Sequence, residues 1–322
     1  MPRWIPNALH AAGWLALLPM LGLCGTLWLG IDDRRTIAAF QALTPWVLVW
    51  AAPLAVAATL ARRHALALTT LAPLFTLLVL SAPIVFHSPP PAAASGSPSL
   101  TIAYSNVLYS NTTPDAAAAT LLAQDTDVLV LVEFAAPVRD ALLAAVPDGD
   151  YPFREEAVDG GAGSIAVWSR HPITAGGVTQ EDGWPIIDVT LDVEGSTFRV
   201  IGVHPHPPTF DAPAWRRHLA QIGDRFAVST MPTAVVGDFN GSRWHPSYRA
   251  LLATGLCASH EVLGQGWSAS WPMDRGVVPP PFVRIDHALF GDGVTPLTIN
   301  DLAVPGSDHK GFVATFGFTR VA

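Results

Sequence analysis

Three long stretches without one charged side chain crowd into the start of this chain, at residues 11–31, 43–61 and 65–86. Each is close to the roughly 20 residues that a helix needs to cross a hydrocarbon layer of ~30 Å. A cleaved signal peptide accounts for one such stretch at most, and buried core helices are usually shorter. Three transmembrane helices are therefore expected, forming a membrane anchor over residues 1–86. Composition agrees. Of the 322 residues only 14% are charged and 50% are hydrophobic, where soluble proteins carry about 25% charged residues.

Lys and Arg near span ends favour the cytoplasmic side. Arg3 precedes the first stretch and Arg62-Arg63 fill the short loop between the second and third, while the first loop, "DDRR", is mixed. Three spans then place everything after Phe86 outside the cell. The expected location is the plasma membrane, multi-pass, with an extracytoplasmic domain. Residues 87–99, "HSPPPAAASGSPS", read as an extended Pro/Ala/Ser linker.

Residues 100–322 have the pattern of a folded domain. Short apolar runs suit buried strands: "LTIAYSN", "DVLVLVEF", "SIAVWS", "IIDVTLDV", "TFRVIGVH", "TAVVGDFN", "RIDHALF" and "GFVATFGF". Four helical stretches alternate with some of them, the first of which is expected to take Thr113 as its N-cap with Pro114 at the first helical position. The mixture indicates packed layers of sheet and helix, an α/β sandwich.

Several of the apolar runs end in a residue that can do chemistry. Asn106, Glu133, His204 and Asp238 each close one, Asn240 follows Asp238 by two, and Asp286 opens "DHALF". "GSDHKG" adds Ser307, Asp308 and His309. Functional groups commonly gather at strand ends and in the loops beyond them. Asn, Glu and Asp offer hard oxygen ligands of the kind Mg²⁺ prefers. A metal, an amide and a histidine can offset the charge of a phosphate ester under attack, and an Asp or His can take the proton of the attacking water. His204 and His206 could suggest zinc, but no further His/Cys cluster accompanies them. Cys24 and Cys257 are expected to form neither a disulfide nor a structural metal site.

The order "SNVL", "VEF", "GSIAVWSRHPI", "VHPHPP", "GDFNG", "RIDHALF", "GSDHKG" resembles the endonuclease/exonuclease/phosphatase family over about residues 100–320. With membrane spans in front, the chain looks most like its membrane-anchored bacterial branch, which includes the VanJ-type teicoplanin-resistance proteins. The resemblance implies a DNase I-like four-layered α/β sandwich and a Mg²⁺-dependent phosphoesterase, with Mn²⁺ as the alternative ion. It implies that Glu133 ligates the metal, with Asn106 as ligand or ligand-orienter and Asp308 near by. Asp238 would position or deprotonate the attacking water, Asn240 hold the phosphate, and His309, oriented by Asp286, contact the scissile phosphate. His204 matches a histidine that the family places near the phosphate. The chain departs from the family's nucleases at Gly202-Val203, where many of them carry an Asn.

The substrate expected is a lipid-linked phosphate or diphosphate at the outer membrane face, since an anchored domain meets lipids at high local concentration. A DNA/RNA endonuclease is the alternative. It is disfavoured by a net charge of −8 and the lack of a basic stripe. A catalytically inactive binding module is a remote third reading, and no protein partner is expected. His206 is read as exposed, Arg154 as a surface ion pair, His287 as structural, and Ser164 as turn and core. Trp267 and Trp271 are left between core packing, site lining and lipid headgroups.

Overall fold

The computed structural model describes residues 4–87, 96–273 and 280–320. The N-terminal region is helical throughout: α1 (Trp4–Leu29), α2 (Arg35–Gln41), α3 (Thr44–Leu48), α4 (Ala51–Leu60), α5 (His64–Thr69) and α6 (Leu71–Val85). Two stretches, Asn7–Leu29 and His64–Val85, are long and apolar enough to cross a membrane as single helices. The expected second span differs. Thr44–Leu60 is preceded by α2 at a bend of 67°, so an elbow replaces the simple loop that "DDRR" suggested. Pro45 in the first turn of α3 suits a new helix start there.

The remaining elements run β1 (Ser99–Asn106), α7 (Pro114–Leu122), β2 (Val128–Val132), α8 (Ala136–Ala145), β3 (Phe153–Ala157), β4 (Ile165–Ser169), β5 (Ile173–Glu181), β6 (Trp184–Val193), β7 (Ser196–Val203), α9 (Pro208–Ala227), β8 (Thr233–Asp238), α10 (Pro246–Leu252), β9 (Cys257–Ala258), α11 (Ser259–Val262), β10 (Asp286–Phe290), β11 (Val294–Ala303) and β12 (Lys310–Phe318). They build two six-stranded sheets, in the orders β11-β12-β1-β2-β4-β3 and β5-β6-β7-β8-β10-β9. The inner faces of the sheets bury one core, which includes Ile102, Val130, Val167, Val189, Val236 and Phe316. A second core lies between the first sheet and α7/α8, around Leu121, Phe134, Leu142 and Trp168. A third lies between the other sheet and α9/α10, around Trp215, Leu219, Phe239 and Leu251. Helix, sheet, sheet and helix make the four-layered α/β sandwich of the DNase I-like fold.

Local chemistry corrects two sequence expectations. Thr113 makes no side-chain cap bond to α7. Asn111 does the turn-forming instead, its Oδ1 accepting from the Thr113 N–H at 2.8 Å. Arg154 is no surface ion pair. Its guanidinium sits 4.0 Å over the Trp168 ring and its Nε donates to the Tyr151 carbonyl.

Most of the expected linker, residues 88–95, lies outside the described residues. The helices before it nevertheless grip the domain directly. Asp32, fully buried, accepts from the Ser247 N–H at 2.7 Å and its hydroxyl at 2.8 Å, and pairs with Arg216 at 3.2 Å. Arg249 donates to the Leu27 carbonyl, and Trp46 to that of Phe282. The His245 ring nitrogen lies 3.0 Å from the Ala38 carbonyl.

Candidate active site

Register brings the strand-end residues together. β1 and β2 run parallel with Asn106 opposite Val132, so Glu133 emerges one residue beyond Asn106. β8 and β10 run antiparallel with Asp238 opposite Asp286. Asp308 and His309 arrive from the turn that joins β11 to β12. Two glycines make room. A Cβ on Gly237 would lie 1.9 Å from the Val203 carbonyl oxygen, and one on Gly241 would lie 2.9 Å from the Trp215 ring. Glu133 and Asn240 adopt left-handed backbone conformations, with φ of +53° and +47°. Such strain in non-glycine residues clusters at functional sites.

A hydrogen-bonded chain fixes the side chains. Tyr104 donates its hydroxyl to Asp286 Oδ1 at 2.6 Å, and His309 Nδ1 lies 2.9 Å from Asp286 Oδ2. His309 Nδ1 is also 3.7 Å from Asp238 Oδ2, and His204 Nε2 approaches the same oxygen at 3.8 Å. The Asn106 amide donates to Glu133 Oε1 at 3.0 Å and to Asp238 Oδ2 at 3.3 Å. Its Oδ1 accepts from the Leu108 N–H at 3.0 Å. Asn106 is thus occupied in orienting the two carboxylates. Asp238 Oδ1 accepts the Asn240 N–H at 2.7 Å, and Asn240 Nδ2 is tied to the Pro205 carbonyl at 3.1 Å. Asp308 takes the Trp271 indole N–H at 3.3 Å and lies 3.9 Å from His309 Nε2.

Electrostatics divides these groups into roles. Burial, then the charge of Asp286, push the Asp238 carboxyl up to about 8. Burial also works to raise Asp286, but His309, Ser270 and Tyr104 outweigh it and hold that carboxyl below the usual range. Burial opposes charge on His309, yet Asp286 and Asp238 prevail and push the imidazole up to about 10. Burial pushes His204 down to about 4, so it is neutral at physiological pH.

The site opens into a cleft of about 680 Å³, lined by Glu133, His204, Asp238, Asn240, Asp308 and His309. Eight of the sequence candidates therefore converge: these six line the cleft, while Asn106 and Asp286 stand behind it. His206 does not join them. It packs at a tilt against Trp184, with ring centroids 4.0 Å apart, and stacks beside His218. Sequence reasoning missed Tyr104 and the alanines of the elbow. Tyr104 sits two residues before Asn106, on the same face of β1, and that phase was the available signal. Trp271 lines the cleft, whereas Trp267 is 56% exposed and packs near Trp244, away from it.

His287 is structural. It is buried, its Nε2 lies 2.9 Å from the Gly241 carbonyl, and its ring packs against Tyr248. Burial pushes its imidazole down to about 3. Between that value and the ordinary ~6.5, the unfolded chain binds a proton that the folded one excludes, so falling pH lowers stability across this window. Near pH 5 the loss from this one residue is about 2 kcal/mol. His287→Gln keeps a donor for Gly241. Its unfolding midpoint, measured from pH 7.5 to 4.5, is expected to fall less steeply than that of the wild type, and parallel curves would disprove the assignment.

A sequence profile of the endonuclease/exonuclease/phosphatase family matches residues 103–309. Among solved structures, the chain is similar to Danio rerio TDP2 complexed with single-strand DNA product (18% identity, TM-score 0.59, covering 68% of this chain and 99% of that one). It is similar to an endonuclease/exonuclease/phosphatase family protein from Leptotrichia buccalis (15%, TM-score 0.53, 68% and 100%). A third is the endonuclease/exonuclease/phosphatase from Beutenbergia cavernae (20%, TM-score 0.51, 69% and 72%). No curated protein sequence matches the chain.

Proposed function

The chain belongs to the endonuclease/exonuclease/phosphatase family, and from that premise we propose that it is a membrane-anchored, Mg²⁺-dependent phosphohydrolase of lipid-linked phosphates or diphosphates. One observation carries the lipid reading. Ala38, Ala39 and Ala42, on and just after the elbow helix α2, form part of the catalytic cleft's wall. The cleft therefore borders the apolar helical region instead of facing away from it. The path of the helices supports three crossings. Leu27 in the last turn of α1, Asp32 just after it, and Ile84 at the end of α6 all meet the domain. Arg62-Arg63 lie at the turn between α4 and α5. With basic residues inside, the domain is extracytoplasmic. This arrangement suits the VanJ-type, membrane-anchored branch.

The cleft suits a cation. Glu133, Asp238 and Asp308 line it, and among its described lining residues there is no Lys or Arg. A phosphate approaching Glu133 and Asp238 needs more positive charge than His309 alone supplies. Ligand-capable atoms of Asp238, Asp286 and His309 lie within 4.8 Å of one another. Asp286 and His309, however, already engage each other, with Tyr104 on the far side of Asp286. That trio reads as a proton-handling network, and Glu133 as the principal metal ligand, with Asn106 orienting it and Asp308 near by. Bound there, Mg²⁺, or Mn²⁺ in its place, supplies Lewis-acid polarisation of the phosphoryl oxygens.

The remaining work falls to the protein. Asp238, in its ionised form, positions the attacking water and accepts its proton. Asn240 binds the phosphate. Protonated His309, fixed through Nδ1 by Asp286, presents Nε2 to a phosphoryl oxygen and neutralises charge in the transition state. His204, neutral, approaches the same Asp238 oxygen as His309.

The test is a substrate panel with the full chain in detergent: undecaprenyl diphosphate, a phospholipid, plasmid DNA and a simple phosphodiester, each with Mg²⁺ and with chelator. Phosphate release from the isoprenoid substrate is expected, abolished by chelator and restored by Mg²⁺. The similarity to TDP2, solved with a DNA product, motivates the DNA arm. Cleavage of plasmid with the lipid left intact would replace this reading with a nuclease.

A further inference from the structure

A second concavity, of about 590 Å³, lies between the N-terminal helices and the domain, within the size range of small-molecule sites. One wall is Trp46 and Val49, at and just after α3, with Leu77 and Ile84 of α6; the other includes Trp267 and Phe282 of the domain. We infer that this groove receives the hydrocarbon chain of the lipid whose phosphate occupies the catalytic cleft, an inference that rests on the proposed lipid substrate.

Three observations point to that occupant. The first is position: two of the segments proposed to cross the bilayer form the groove's apolar wall, so hydrocarbon is the solvent on that side. The second is adjacency. Val283 lines both the groove and the catalytic cleft, and its neighbours Phe282 and Ile285 line the groove and the cleft respectively. The strip 282–285 is therefore a shared partition, and the Trp46 indole pins it to α3 by donating to the Phe282 carbonyl at 3.0 Å. A lipid with its phosphate at Asp238 and His309 can lay its chain across Val283 into the groove. The third is charge. Arg243 is paired with Glu261, and Arg284 with Asp301 at 2.7 Å. Lys310, also at the groove, lies 3.9 Å from Asp301, so the buried Arg284, the half-buried Arg243 and this lysine are all already engaged, which favours a chain over a second phosphate headgroup.

The test uses the intact chain in detergent, made inactive by Asp238→Asn, and geranylgeranyl monophosphate carrying a diazirine at its terminal isoprene. On illumination, label is expected on peptides holding Trp46, Leu77, Trp267 or Phe282. Excess unlabelled geranylgeranyl monophosphate should compete, and the same excess of phosphatidylcholine should not. Equal competition by phosphatidylcholine would mark a site for bulk lipid and overturn the inference, as would label confined to outward-facing residues such as Leu15 and Leu18. This readout needs no hydrolysis, so it stands apart from the substrate panel. A second measurement fills the groove in the active enzyme. Val49→Trp is expected to raise KM for a long-chain isoprenyl phosphate about tenfold, the scale on which an apolar pocket discriminates, leaving a chainless phosphodiester unaffected. Equal loss on both substrates, or on neither, contradicts it.

Discussion

Asp238→Asn is expected to lower kcat by about 10²–10⁴-fold, the range general-base catalysis contributes, while the full chain stays folded and inserted. Asp238 sits at the meeting point of the site. It accepts from Asn240 and Asn106 and lies within 4 Å of both His204 and His309. An amide of the same shape has one acceptor where the carboxylate has two, and it cannot take a proton from water. Stability should be preserved. The substitution removes a carboxyl that burial and Asp286 already disfavour in charged form. The measurements are Mg²⁺-dependent phosphate release and a thermal melt on the same preparation. A folded variant turning over within twofold of wild type would remove Asp238 from the mechanism.

His309→Ala should cost a similar factor, for a different reason: the cationic partner of the phosphoryl group is lost. The sharper experiment is Asp286→Asn. Asp286 and Asp238 together keep the His309 imidazole protonated up to about pH 10. Without the Asp286 charge the imidazole titrates lower, so the alkaline limb of the kcat profile is expected to move toward neutral pH. Adding Asp286→Asn to His309→Ala should cost little more than His309→Ala alone, because residues acting as a unit are not additive. An unmoved alkaline limb would mean that Asp286 does not act through His309.

How much of this was legible in the chain follows from burial. The eight apolar runs read as strands are β1, β2, β4, β6, β7, β8, β10 and β12, the members of each sheet that carry most of its buried face. The four strands missed, β3, β5, β9 and β11, are the four edges of the two sheets. An edge strand such as β5, "ITAGGVTQE", is largely exposed or half-buried and carries polar residues and glycine, so it lacks the pattern that burial imposes on sequence. The site was legible for the same reason: polar groups stand out where buried runs stop. Tyr104 escaped because an aromatic inside an apolar run reads as core, which by burial it is. The alanine wall at α2 had no local signal, since only tertiary docking brings Ala38, Ala39 and Ala42 into one cleft with Asp238 and His309.

The buried Asp32, held by Ser247 and Arg216, has a kinetic consequence. A domain latched in this way to its own anchor would, under the proposed function, hold its mouth at one height and tilt above one leaflet. Under the proposed function, encounter with substrate is a two-dimensional search, set by lateral diffusion and by mole fraction in the membrane. Inert lipid added at constant total substrate should then slow turnover by surface dilution, and substrate embedded in separate vesicles should be cleaved only as fast as it transfers between bilayers.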